Sequence, residues 1–249
     1  MRRNRPAQLA LLTALVVTIS GVTFSSPASS APASSSQNAN RAVKALVRPG
    51  LIRAEIVTLS AGKVNDYRVD RGVVRKMRGR LLTLAERDGA VAQVRLSSAT
   101  QIRTDGRKIA AKRVRPGMRA TVMRKGSAAA SWLYVAKRPP DRSGAKIKSL
   151  LSTGFVRAEV VSQAGGELLD SRADTGVIDS IDDTSLTLHE SDGTTVRMQI
   201  DSTTQVQVNR KTADTTELAA GMRAATIRSG DGAIGQIWAF VKKSGGGKK

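Results

Sequence analysis

The 249-residue chain has no cysteine, a single histidine and seven aromatic residues. The absence of cysteine excludes disulfides, thiolate catalysis, thiolate-ligated zinc and anchoring through a lipidated N-terminal Cys. One histidine excludes a His-rich metal centre, although carboxylate and Lys/Ser chemistry survive that count. Acidic residues are also scarce, with 20 Asp+Glu against 41 Lys+Arg and a formal net charge of +21. With 40% hydrophobic residues the chain can still bury a core, so wholesale disorder is not expected.

The first thirty residues read as an address. Arg2, Arg3 and Arg5 precede the apolar run LALLTALVV at residues 9–17, and Ser29, Ser30 and Ala31 offer small residues for cleavage. The run is short for a spanning helix, so the expectation is a signal peptide at residues 1–31, with an N-terminal membrane anchor as the alternative. Arg2-Arg3 is followed by Asn4-Arg5-Pro6, a poor twin-arginine match, which favours the general secretory route. The mature chain has no other stretch of transmembrane length. Its expected place is extracytoplasmic, secreted or in the cell envelope of a bacterium.

Residues 32–49 form a Ser/Ala/Pro-rich leader, and beyond it one unit is written twice. Residues 50–138 align with 154–242 at a constant offset of 104, with about 27 of 89 positions identical. Arg53-Ala54-Glu55 recurs as Arg157-Ala158-Glu159, and Asp88-Gly89 as Asp192-Gly193. The expected domains are a first repeat at 50–138, a linker at 139–153, a second repeat at 154–243 and a Gly/Lys tail at 244–249.

Each copy reads as β. Val91 to Leu96 and Val196 to Ile200 alternate apolar with polar, the period of a half-buried strand. Asp88-Gly89 and Asp192-Gly193 fall between two such runs, where a hairpin needs positive φ. Further short runs, at Ile52 to Leu59, Val69 to Met77, Thr100 to Arg103, Met118 to Met123 and Leu133 to Val135, predict six or seven strands per copy. A short, helix-like segment precedes Gly117 and Gly221. The fold class is all-β: two tandem small β-barrel units related by duplication.

A Gly-Val-Val strand (Gly72 to Val74), the Leu82-Thr83-Leu84/Asp88-Gly89 hairpin, Thr100-Gln101-Ile102 and Pro116-Gly117-Met118-Arg119 follow in order. This order resembles the small secreted bacterial β domains catalogued as domain of unknown function 5666, over residues 72–138 and 176–242. The second copy departs from it at Ala220, where the first has Pro116. The resemblance implies an oligonucleotide-fold-like barrel and an extracytoplasmic setting, and brings no active site with it.

Candidate chemistry is sparse. The carboxylates Glu55/Glu159, Asp70/Asp174 and Asp88/Asp192 recur in both copies, and two of the three pairs precede Gly in turns, as structural residues do. Asp179, Asp182 and Asp183 offer hard oxygens but lack the alternation and distal Glu of a calcium loop. His189, where the first copy has Ala85, has no metal-type partner in sequence. No phosphate-cradling Gly-rich loop, nucleophile elbow or HExxH occurs. Neither a catalytic residue, a cofactor, a metal nor a small-molecule substrate is indicated.

Charge is the informative feature. Residues 41–149 hold 27 Lys+Arg against 7 Asp+Glu, whereas residues 150–249 hold 11 against 13. Arg75, Lys76, Arg78 and Arg80 bracket one turn, and Arg107, Lys108, Lys112, Arg113 and Arg115 crowd another segment. Such clusters attract polyanions by counterion release, and outside a cell these are anionic wall polymers, anionic polysaccharides, lipid head groups and released nucleic acid. Trp132, two residues before Tyr134, is a candidate stacking platform; the alternative is packing, as Trp238 stands at the position of Tyr134 in the copy without the basic clusters.

At equivalent positions charge is reversed: Lys63/Glu167, Arg75/Asp179, Arg78/Asp182 and Arg113/Glu217. If the copies pack about a twofold axis, such reversals should mark the contact. The leading functional reading is a non-catalytic tandem binding or structural module. Polyanion or nucleic-acid binding by the first repeat is the alternative, and a carboxylate-based hydrolase ranks last.

Overall fold

The computed structural model describes residues 50–136 and 154–241. The expected signal peptide, leader, linker and tail lie outside the described residues. Seven strands come from the first copy: β1 (Leu51–Ser60), β2 (Lys63–Arg78), β3 (Leu81–Glu86), β4 (Val91–Thr104), β5 (Arg107–Lys108), β6 (Arg119–Lys125) and β7 (Ala130–Ala136). Eight come from the second: β8 (Phe155–Ala164), β9 (Glu167–Ile181), β10 (Ser185–Glu190), β11 (Thr195–Gln199), β12 (Gln205–Val208), β13 (Lys211–Ala213), β14 (Arg223–Ser229) and β15 (Ile234–Phe240). The described chain is thus all-β apart from two single-turn 3-10 segments, Ala111–Arg113 and Thr215–Glu217, which stand where the sequence reads as helix-like.

In the first copy β2 pairs with β3 and β6, β3 with β4, β4 in parallel with β7, and β7 with β6, so the pairings return to β2. The second copy repeats these pairings, except that the equivalent of β4 is divided into β11 and β12. The alternating pattern explains the cores. Val74, Leu82, Leu84, Val94 and Leu133 point to one side and are 0–1% exposed, and Ile178, Leu186, Leu188 and Ile237 do the same in the second copy. The recurrent Thr-Gln pair has a packing role as well, because the Thr100 and Thr204 hydroxyls each donate 2.6 Å to a strand carbonyl, of Ala130 and Ile234.

β2 extends the expected run Val69 to Met77 back to Lys63, as one strand of 16 residues. Its first half pairs with β1 and its second half with β3, and the chain turns the corner near Gly72. A Cβ on Gly72 would lie 2.3 Å from the Ala85 carbonyl oxygen, and one on Gly176 would lie 2.5 Å from that of His189. Only glycine permits this approach of strand to strand.

One fifteen-stranded sheet runs through both copies, joined by antiparallel pairing of β1 with β8. The register is symmetric: Glu55 faces Glu159, its own counterpart, while Ala54–Val160 mirrors Ile56–Ala158 and Arg53–Val161 mirrors Val57–Arg157. A local twofold therefore passes between Glu55 and Glu159. A third core packs at this seam from both copies, with Ile56, Val69 and Met123 meeting Ala158, Val160 and Trp238.

The expected marker of the contact is corrected by this geometry. Lys63/Glu167, Arg75/Asp179, Arg78/Asp182 and Arg113/Glu217 are all exposed, and none belongs to β1 or β8. The seam is held by backbone hydrogen bonds and apolar packing, so charge reversal is not needed there. The like charges at the axis persist because each has an arginine opposite it on the next strand, Arg68 at 2.9 Å from Glu55 and Arg172 at 3.4 Å from Glu159.

Both ends of the seam depend on glycine. The Gly154 carbonyl accepts from Leu59 N–H at 2.7 Å, and that of Gly50 accepts from Gln163 N–H at 3.0 Å. At φ +61 and +102, an added Cβ would strike the Leu59 and Gln163 carbonyl oxygens at 1.8 and 2.0 Å. Gly62, at φ +71, has open space instead. Urea denaturation should show Gly62→Ala costing about 1 kcal/mol, the left-handed backbone penalty alone, and Gly154→Ala or Gly50→Ala at least twice that. Equal costs at the three sites would show that the seam does not hold the copies.

Candidate functional site

Two arrangements of charged side chains stand out, one buried and repeated in both copies, the other exposed and confined to the first. The buried one starts from strand alternation. Glu86 follows Leu82 and Leu84 on the inward face of β3, and Glu190 follows Leu186 and Leu188 on β10. Arg53, on β1, reaches Glu86 at 2.8 Å and also Asp88 in the β3–β4 turn. Arg157 does the same with Glu190 and with Asp192 at 2.8 Å. Asp70, 0% exposed, lies 3.3 Å from both Arg68 and Arg124. Asp174 lies 3.7 Å from Arg228.

These groups tie the seam strands to the hairpins. Asp88 and Asp192 also accept from the Ala90 and Thr194 amides at 3.1 Å. Burial works against ionised Asp88 and Asp192, but those amides and the guanidinium outweigh it and hold both below the usual carboxylate range. Burial dominates the other way at Glu86, which is raised, and at Glu190, which is pushed up to about 7 despite Arg157, with Asp174 and Asp192 adding to the rise. Asp174 is raised by burial too, against the pull of Arg228. Of these residues the sequence reading names Asp70, Asp88 and their counterparts but misses Glu86 and Glu190. Their signal is an acid kept in both copies at a core position of an alternating strand.

The exposed arrangement lies on the outer face of β2, β3 and β4. A bulge between Val74 and Lys76 turns both Arg75 and Lys76 outward, two successive cations on one face. Arg78 pairs across to Leu81, and Leu81 to Arg95, so Arg78 and Arg95 flank one leucine. Gly79, at φ +58, lets the turn place Arg80 beside them. The second sequence cluster joins at one end: Gly117 N–H donates to the Val74 carbonyl at 2.9 Å, and Val74 N–H to that of Met118 at 2.8 Å. These bonds bring the Arg115–Gly117 turn to the bulge that carries Arg75. Lys108 and Arg107 pair with Arg103 and Thr104 of β4, and Lys112 and Arg113 lie in the 3-10 turn that follows. All nine predicted cations are exposed. Among the described residues none of them has a carboxylate partner. Arg95 and Arg119 belong to the same surface and stand outside the consecutive basic runs, so local sequence does not mark them.

In the second copy the same backbone carries Asp179, Ser180, Asp182, Thr184 and Gln199 at the positions of Arg75, Lys76, Arg78, Arg80 and Arg95. Asp182 accepts from the Ser185 hydroxyl at 2.7 Å and from the Thr184 amide at 2.9 Å, which draws it down to about 2. It therefore serves its own turn. His189 is exposed, 3.4 Å from the Thr195 hydroxyl that faces it across the hairpin. Trp132 is half-buried on β7, packed against the seam core, with its ring stacked on Tyr134 at 6.0 Å and 17°. Tyr134 and Trp238 are 5% and 8% exposed. Comparison of the chain with protein families, with curated proteins and with solved structures found no match.

The raised Glu190 sets a pH dependence. Its unfolded reference is 4.5, so the folded state favours the protonated acid; that contribution is full below pH 4.5 and is lost as the pH rises through about 7. The urea midpoint should fall across this interval, and Glu190→Gln, which cannot ionise, should flatten the fall. Asp88 and Asp192 act oppositely, their contribution being present above the unfolded value of 3.8 and lost in stronger acid. A parent midpoint unchanged from pH 4.5 to 7.5 would contradict the assignment.

Proposed function

We propose that the chain is a non-catalytic, extracytoplasmic bacterial module that holds an anionic polymer on the exposed basic face of its first copy. The observation that carries this reading is the contrast between copies. On the same strands, one presents unpaired Arg and Lys and the other presents Asp, Ser, Thr and Gln. Within the described segments the first holds 19 Lys+Arg against 6 Asp+Glu and the second 7 against 13. An exposed, unpaired cation contributes nothing to folding that a neutral side chain would not, whereas it raises the local concentration and on-rate of a polyanion.

In this reading each copy is a small barrel of the oligonucleotide-binding type, in keeping with the resemblance to domain of unknown function 5666. The order β2-β3-β4-β7-β6-β2, with β4 and β7 parallel, supports it. Such five-stranded barrels bind polymers on their second and third strands and the loop before them. Here that place corresponds to β3, β4 and the Arg78–Arg80 turn. A non-catalytic role is supported by the occupation of the repeated carboxylates: Asp70, Glu86 and Asp88 and their counterparts are each engaged by arginine.

Titration with heparin and polyphosphate should show binding that weakens steeply between about 50 and 200 mM salt. Arg75→Asp, Arg78→Asp and Arg95→Gln together, all residues the second copy carries, should lower both affinity and salt slope. Unchanged binding by this variant would overturn the assignment to the first copy. Purified protein should be inactive in a broad hydrolase screen; turnover abolished by Glu55→Gln or Glu159→Gln would refute the non-catalytic reading.

A further inference from the structure

The basic face is also an aliphatic one. Val73, Ala85 and Val91 form a continuous cross-strand row on the outer side of β2, β3 and β4, and Arg119 continues that row on β6. Leu81 lies on the same side two rows away, between Arg78 and Arg95. Val73, Leu81 and Val91 are 41%, 36% and 51% exposed. Lys76, Thr83 and Gln93 form the row between, and Arg75, Arg80 and Arg87 lie at the margins. The counterpart positions in the second copy carry Ser185, His189 and Thr195 in place of Leu81, Ala85 and Val91. Where the cations are absent, three of the four apolar side chains are absent too. Charge and aliphatic surface thus go together on one backbone and are lost together on the other.

We infer that this face docks on an anionic phospholipid surface, its arginines and lysines on the phosphates and Val73, Leu81 and Val91 in the headgroup–acyl boundary. The inference rests on the polyanion reading and selects its ligand class. A soluble polymer of phosphates or sulfates leaves exposed valine and leucine in water, so it gives them no role. Single-stranded nucleic acid is bound by stacking its bases on aromatic rings. Among the described residues no aromatic side chain lies in the three cross-strand rows of this face; Trp132 and Tyr134 are on β7, with Trp132 packed against the seam core and stacked on Tyr134. A lipid surface uses both kinds of side chain, because binding there grows with buried apolar area as well as with attraction to anionic headgroups.

The test is co-sedimentation of the protein, purified as an expressing bacterium exports it, with vesicles of phosphatidylglycerol and phosphatidylcholine in equal parts. Pure phosphatidylcholine vesicles report any contribution from residues 9–17 if they are retained. Heparin and a single-stranded oligonucleotide are the soluble arms. The variant Leu81→Ser with Val91→Thr installs residues the second copy accommodates on the same strands, and circular dichroism checks that it is folded. It should bind the mixed vesicles about tenfold more weakly while keeping its heparin affinity. The triple charge variant should lose both ligands. Mixed vesicles bound no better than phosphatidylcholine, with heparin still bound, would overturn the lipid inference and leave the polyanion reading standing. Equal vesicle binding by parent and Leu81→Ser/Val91→Thr, or an oligonucleotide bound in preference to vesicles, would also overturn it. Loss of every anionic ligand would bring down both readings.

Discussion

The antiparallel pairing of β1 with β8 is the constraint from which the rest of the arrangement follows. Two units that each direct an apolar side inward would otherwise end in an exposed strand, with a row of unpaired N–H and C=O groups. Here each edge satisfies the other, and the symmetric register turns the sequence offset of 104 into a local twofold axis. The same strands carry Arg53 and Arg157, so the seam is tied to the β3–β4 and β10–β11 turns by buried ion pairs. Those pairs recur without change in both copies. Losing the arginine would leave two buried carboxyl groups without their partner, whereas an exposed position changes sign at almost no cost.

This difference in cost explains the pattern of divergence. Most positions in the cores, and those at the tight glycines and in the Arg–Glu–Asp clusters, keep their chemistry across the duplication, while the outer face of β2–β4 and its counterpart do not. One backbone therefore supports a cationic, aliphatic surface in one copy and an acidic, hydroxyl-rich one in the other. The two faces stand at equivalent positions about the twofold, and the pairing that joins the copies runs through β1 and β8 instead.

Much of the fold is legible in the amino-acid sequence, for local reasons. Alternation and Asp-Gly turns mark β3, β4, β10 and β11, and the repeat marks their partners, because period and turn chemistry are properties of a few adjacent residues. The cationic clusters were legible as well, although only where they run consecutively. Arg95 became part of the face through the register that sets Leu81 opposite it. Glu86 is marked in the sequence only as an acid kept in both copies at a core position; its partner is fixed by the fold, which brings Arg53, 33 residues earlier, beside it.

What the sequence determined by itself was composition and local pattern: duplication, β class, the imbalance of charge between copies and the poverty of catalytic residue types. Tertiary structure alone decided that the copies share one sheet and that like charges, not opposite ones, face each other at the axis. It also decided that two separate basic runs meet at the bulge beside Val74. The physical reason is that strand pairing and register couple residues far apart in the chain through backbone hydrogen bonds. Those bonds are available to every residue and leave no mark on side-chain identity, so no pattern of letters announces them.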